Sequence, residues 1–168
     1  MLIPTRRRTW GPEGQTPWIP YSYKHQRISA LATLTISPVR RHIGLYARFQ
    51  QDNFKAVHVA PFLRHLLGHL PGPVVLLWDN GPIHKGPAIR QVLLGNPRLH
   101  TEWFPTYAPE LNPAEQVWKE FKGHTANSLP LDKQDIRNSL HANKRRVQRS
   151  QDKLRSLILA SKLPSPLG

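Results

Sequence analysis

From Arg27 to Ile36, apolar Ile28, Ala30, Ala32, Leu34 and Ile36 alternate with Ser29, Leu31, Thr33 and Thr35. A period of two predicts a strand, ended by Ser37-Pro38. Residues 42–50, HIGLYARFQ, predict a second strand that pairs with the first as a hairpin. The period then changes. Val57, Ala60, Phe62, Leu63, Leu66, Leu67 and Leu70 recur at helical spacing, with Asn53 as the expected cap and Pro71-Gly72-Pro73 as the stop. VVLLW, residues 74–78, is a short unbroken apolar run between turn residues. That pattern predicts a strand buried on both faces. A helix over 85–94, a strand over 99–104, a loop over 105–113 and a helix over 114–124 follow.

The remainder is a basic helical tail with two apolar stripes, Ile136, Leu140, Asn143 and Val147, then Leu154, Leu157, Ile158 and Leu163. Asp132 and Ser150 stand where caps belong. Residues 1–24 are broken by Pro4, Pro12, Pro17 and Pro20 and predict an irregular or hairpin segment anchored by Trp10, Trp18, Tyr21 and Tyr23. A hairpin leading into alternating helices and parallel strands is an α/β fold with a mixed sheet.

At 168 residues the chain suits one domain. Its 24 Lys and Arg against 10 Asp and Glu leave a net charge of +14. Such a charge points to a polyanion, nucleic acid before anionic membrane, unless it serves solubility alone. Without cysteine there are no disulfides, thiolate metal sites or thiol nucleophiles. No signal-peptide core and no apolar run of about 18 residues is present, so a cytoplasmic protein is expected. Arg6, Arg7 and Arg8, and Lys144, Arg145, Arg146 and Arg149 in the tail, are either phosphate contacts or solvated charge.

Two acids carry the candidate chemistry. Asp79 ends the VVLLW strand and opens Asp-Asn-Gly-Pro. Sites in open α/β sheets gather at the carboxyl ends of strands, yet Asp-Asn-Gly is also good turn chemistry. Position alone leaves both readings open. Glu115 lies in YAPELNPAEQVWKEFK, with Asn112 as cap and Pro113 at the helix start. It could complete a capping box or pair with Lys119. Thirty-five residues separate the two acids, room for one helix, one strand and a loop that return the chain to the same sheet end. Two carboxylates there, in so basic a chain, suit Mg²⁺ and phosphodiester chemistry.

The Asp79 stretch and APELNPAEQVWKEFK resemble the second and third acidic motifs of DDE transposases of the mariner-like superfamily, bacterial insertion-sequence branch. RRRTWGPEGQTP, Arg6 to Pro17, resembles a segment that follows the first acid in that branch. The resemblance implies a ribonuclease-H-like α/β fold over residues 1–128, with 129–168 as a basic helical tail of the same domain. It implies a triad of two aspartates and a glutamate holding two Mg²⁺ or Mn²⁺ ions. It also implies nicking at transposon ends, then strand transfer to target DNA by the freed 3′-hydroxyl. Asp79 matches the second acid and Glu115 the third, with Asn80 and His84 in support; His84 also reads as a surface helix-start histidine. Glu110 reads as a solvated loop carboxylate. A homodimer is the family expectation.

The first acid has no match. Glu13 comes too late among Pro and Gly, and Asp52 lies past the hairpin. The first strand is expected to be largely missing, with Leu2 and Ile3 its last residues. A decayed or truncated copy, a late start, or an upstream-frame product joined by frameshift would each account for this. A catalytically inactive DNA-binding or dimerisation remnant is the alternative function.

Overall fold

The computed structural model describes residues 11–14, 28–37, 39, 41–127 and 132–164. The sequence expectations at Leu2, Ile3, Arg6, Arg7, Arg8, Trp10, Trp18, Tyr21 and Tyr23 lie outside the described residues. The period-two segments are strands β1 (Ser29–Ser37) and β2 (His42–Gln50), an antiparallel hairpin with Ser37 opposite His42 and Ser29 opposite Gln50. Next come α1 (Ala56–His69), β3 (Val74–Trp78), α2 (Pro87–Leu94), β4 (Leu99–Trp103), α3 (Ala114–Asn127), α4 (Lys133–Gln148) and α5 (Gln151–Leu159). β3 and β4 pair in parallel, with Trp78 opposite Trp103.

Among the described residues the strands form two two-stranded sheets, β1–β2 and β3–β4. The expected mixed sheet is thus present in two pieces. The edges of β1 and β3 that have no strand partner line one cleft of about 1280 Å³ between them. The expectation that β3 is buried on both faces is not met. Leu76 and Trp78 enter the core, but Val75 is 64% exposed and Leu77 lies beside the cleft, because no described element packs on that face.

Two apolar clusters hold the halves. Ile43, Leu45, Ala47 and Phe49, the alternate residues of β2, pack on Val117, Phe121 and the stripes of α4 and α5. Leu76, Trp78 and Leu99 pack on α1 and α2, and Leu31 of β1 joins this second cluster. The caps at Asp132 and Ser150 form as expected, accepting from the backbone N–H of Asp135 and Lys153. The cap of α1 is Lys55 and not Asn53. The Asn53 carbonyl instead accepts from Gln50, which keeps it in the connection from β2.

The tail does more than add charge. The outer edge of β2 is covered by side chains: Lys144 Nζ donates to the Ala47 carbonyl at 2.8 Å, Gln148 donates to Leu45, and Gln151 bonds both the N–H and the carbonyl of Ile43. An uncovered strand edge invites intermolecular pairing, and here it is satisfied within the chain. Glu120 of α3 accepts from Arg146 and Lys153, joining α3 to α4 and α5. Burial works to raise its pKa, but these two cations outweigh it and hold the carboxyl below its ordinary value.

Arg98, just before β4, donates to the carbonyls of Leu67, Leu70 and Gly72 at the end of α1. The last carbonyls of a helix lack intrahelical partners and favour a cation. Arg98→Ala is expected to cost about 1–3 kcal/mol, read as a lower urea midpoint. Lys should restore only part of it, since a single ammonium cannot replace the fork.

Candidate functional site at the end of β3

β3 ends at Trp78, and Asp79 leaves the strand exposed, with 58% of its side chain open to solvent. Its Oδ1 accepts from the Gly81 N–H at 2.9 Å, a tight aspartate turn. Gly81 permits the approach, since a Cβ there would lie 2.7 Å from that oxygen. The same Oδ1 stands 3.3 Å from His84 Nε2. His84 closes a 3₁₀ turn, Pro82–His84, and its ring packs on Trp78 with centroids 5.0 Å apart. Asp79 thus makes the turn and also stays open at the strand end.

Glu115 lies in the first turn of α3. Asn112 caps that helix, accepting from the Ala114 N–H at 3.0 Å. The two local roles open to Glu115 are not realised. The Asn112 N–H goes to Pro109 O, so no capping box forms, and no ion pair reaches Lys119 among the described residues. The half-buried Glu115 lines the same cleft as Asp79, His84 and Trp118. Asn80 is exposed. Glu110 is exposed too, as a solvated loop residue, and its carbonyl accepts from the Lys162 N–H at 2.8 Å. Gln116 likewise donates to the Ala160 carbonyl, so the segment after α5 braces the Glu115 loop.

Two side-chain nitrogens beside Asp79, Trp78 Nε1 and His84 Nδ1, are buried and take no hydrogen bond among the described residues. Leaving such groups unpaired costs about 1–3 kcal/mol each, the strain expected where a polar ligand is to be met. Among the described residues no group of three or more His, Cys, Asp or Glu is placed to hold a metal. Two carboxylates lining one cleft still fit Mg²⁺, which is commonly held by one or two carboxylates together with substrate phosphate. No helix is long and apolar enough to cross a membrane among the described residues.

Burial pushes the His84 pKa below its ordinary value, against the opposing pull of Asp79. The unfolded chain therefore takes up the proton first as pH falls below about 6.5. Stability is full above that pH and is lost on the acid side. His141 is also pushed down, by burial and then by Lys144, Arg137 and Arg145. His84→Gln is expected to flatten, without abolishing, the fall in urea-derived stability between pH 7 and 5.

The structure divides the basic candidates. Lys144 is turned onto Ala47, and burial lowers its pKa; Arg146 is held by Glu120 and Asn143. Arg145 and Arg149 remain exposed. Sequence reasoning missed the packing around Trp78, where Trp103 stacks on its indole and Lys85 sits over Trp103. The available signal was the matched strand ends, since each parallel strand closes on a tryptophan.

A family model described as DDE superfamily endonuclease matches residues 1–137. No curated protein matches the chain. Among solved structures, the Mos1 transposase paired-end complex with left transposon end aligns with a TM-score of 0.57 at 15% identity, covering 96% of this chain and 52% of that one. The intasome of simian T-cell lymphotropic virus, in complex with PP2A regulatory subunit B56 gamma, aligns at 0.51 and 14%, covering 92% and 63%. The chain thus spans about half the length of the Mos1 chain it matches. The shared fold is the ribonuclease-H-like α/β fold expected from the sequence.

Proposed function

The chain belongs to the DDE superfamily endonucleases, and on that footing we propose that it is catalytic machinery of a DNA transposase of a bacterial insertion sequence. The observation that carries the reading is the pair Asp79 and Glu115, two carboxylates lining one cleft from the end of β3 and the start of α3. Asp79 and Glu115 would hold Mg²⁺ or Mn²⁺, two ions in the full set. The ions would supply a Lewis acid for the phosphodiester and an activated water. The part of the protein itself is positioning. The aspartate turn fixes Asp79, the Asn112 cap and the Lys162 brace fix the Glu115 loop, and His84 Nε2 stands 3.3 Å from one oxygen of Asp79.

The reading extends to DNA as partner, both transposon ends and target, and to a homodimer in the bacterial cytoplasm at the nucleoid. The first acid of the family has no match in this sequence, so the full triad would need a further carboxylate. The net charge of +14 supports a polyanionic substrate.

The test is incubation of the protein with supercoiled and linear DNA across salt, with Mg²⁺, Mn²⁺ or chelator. Binding is expected to weaken by about 10³-fold or more between 50 and 200 mM salt if six or more phosphates are engaged. Nicking with either metal, and not with chelator, is expected of the protein joined to a segment that carries the first acid. Salt-sensitive binding without nicking under any metal would leave a DNA-binding remnant; salt-insensitive or absent binding would overturn the reading.

A further inference from the structure

Resting on that reading, we propose that Trp103 is a nucleobase-binding residue, which stacks on an unpaired base one or two nucleotides from the scissile phosphate. Trp103 ends β4 directly opposite Trp78 in the parallel ladder, and the Phe104 N–H bonds the Trp78 carbonyl at 2.9 Å. Neighbouring strands lie about 4.8 Å apart, so the indole stands beside the residue that precedes Asp79. Trp78 is buried and packed on one side by the ring of His84, whose Nε2 stands 3.3 Å from Asp79 Oδ1. Trp103 stacks on Trp78 with centroids 5.1 Å apart and planes 22° apart, yet keeps 44% of its surface exposed. Lys85 Nζ lies 5.8 Å from its centroid.

An indole held rigid by a second indole and 44% exposed offers a π-face to a base when the Lys85 ammonium over the ring swings to the adjoining phosphate. Nucleotides of a DNA strand present both, spaced about 3.4 Å apart along the strand. A paired base keeps its faces inside the duplex, so the ligand is an unpaired one. Trp103 does not line the cleft and offers no enclosure for a small molecule. The neighbouring carboxylate, Glu102, projects to the opposite face of the strand by alternation and does not oppose the contact.

The test is a fluorescence-anisotropy titration with an oligodeoxythymidylate and with a fully abasic strand of equal length and charge, for the parent, Trp103→Ala and Trp103→Phe. Stacking is worth about 1–3 kcal/mol per base, so Trp103→Ala is expected to lose about 5- to 150-fold on the base-bearing strand. It should lose nothing on the abasic strand, and Phe should keep most of the affinity. Equal loss on both strands, or no loss on either, overturns the proposal while the DNA reading stands. If the parent binds neither strand in a salt-sensitive way, the DNA reading fails and this proposal with it. A dimer that falls to monomer in Trp103→Ala, with binding per chain unchanged, would assign the indole to a protein contact and also overturn it.

Discussion

Asp79→Asn is expected to abolish metal-dependent nicking while leaving the fold intact. Asn keeps an oxygen for the Gly81 N–H and the His84 ring, so the turn at the end of β3 survives. What disappears is the charge. A metal contributes several kcal/mol of charge stabilisation in phosphoryl chemistry, and about 4 kcal/mol corresponds to roughly 10³-fold in rate. Loss of about that size or more is expected in the protein joined to a segment that carries the first acid, together with weakened Mn²⁺ binding followed by water-proton relaxation. Glu115→Gln should behave alike. Glu110→Gln should not, since Glu110 is exposed and, among the described residues, only its carbonyl is engaged. Nicking by Asp79→Asn at the parental rate would remove the site from the end of β3.

The largest expected effect on stability is at Phe121. It is 0% exposed and meets Phe49 of β2 edge-on, with centroids 5.5 Å apart, and Trp118 at 6.1 Å. It therefore holds the hairpin to the helix that carries Glu115. Truncation of a fully buried phenylalanine costs about 3–5 kcal/mol, a large share of the roughly 5–15 kcal/mol typical of a domain. Phe121→Ala should lower the melting temperature by about 6–20 °C. Phe121→Leu should lose under half as much. Equal stability of Phe121→Ala and the parent would show that α3 is not held through this ring.

Much of this was legible in one dimension because it depends on local chemistry. β2 shows its period of two, α4 and α5 show their stripes and caps, and Asn112 with Pro113 marks the start of α3. Asp79 and Glu115 could be found from a strand end and a helix start. What escaped is set by distant residues. VVLLW reads as a strand with two buried faces, but whether Val75 and Leu77 are covered depends on what packs across the sheet. Lys144 reads as free charge, since nothing near it in sequence reveals the Ala47 carbonyl 97 residues earlier. Composition likewise cannot separate Arg146, committed to Glu120, from exposed Arg145.

The covering of the β2 edge also sets an order of events during synthesis. Ala47, Leu45 and Ile43 wait for partners that lie 97, 103 and 108 residues downstream. At about 5–20 residues per second, a ribosome leaves that edge bare for some 5–20 seconds after the hairpin emerges. Contacts so distant in sequence also slow folding itself. The nascent chain is most exposed to mispairing in that interval, and a chaperone that shields the hairpin would act before α4 has left the exit tunnel.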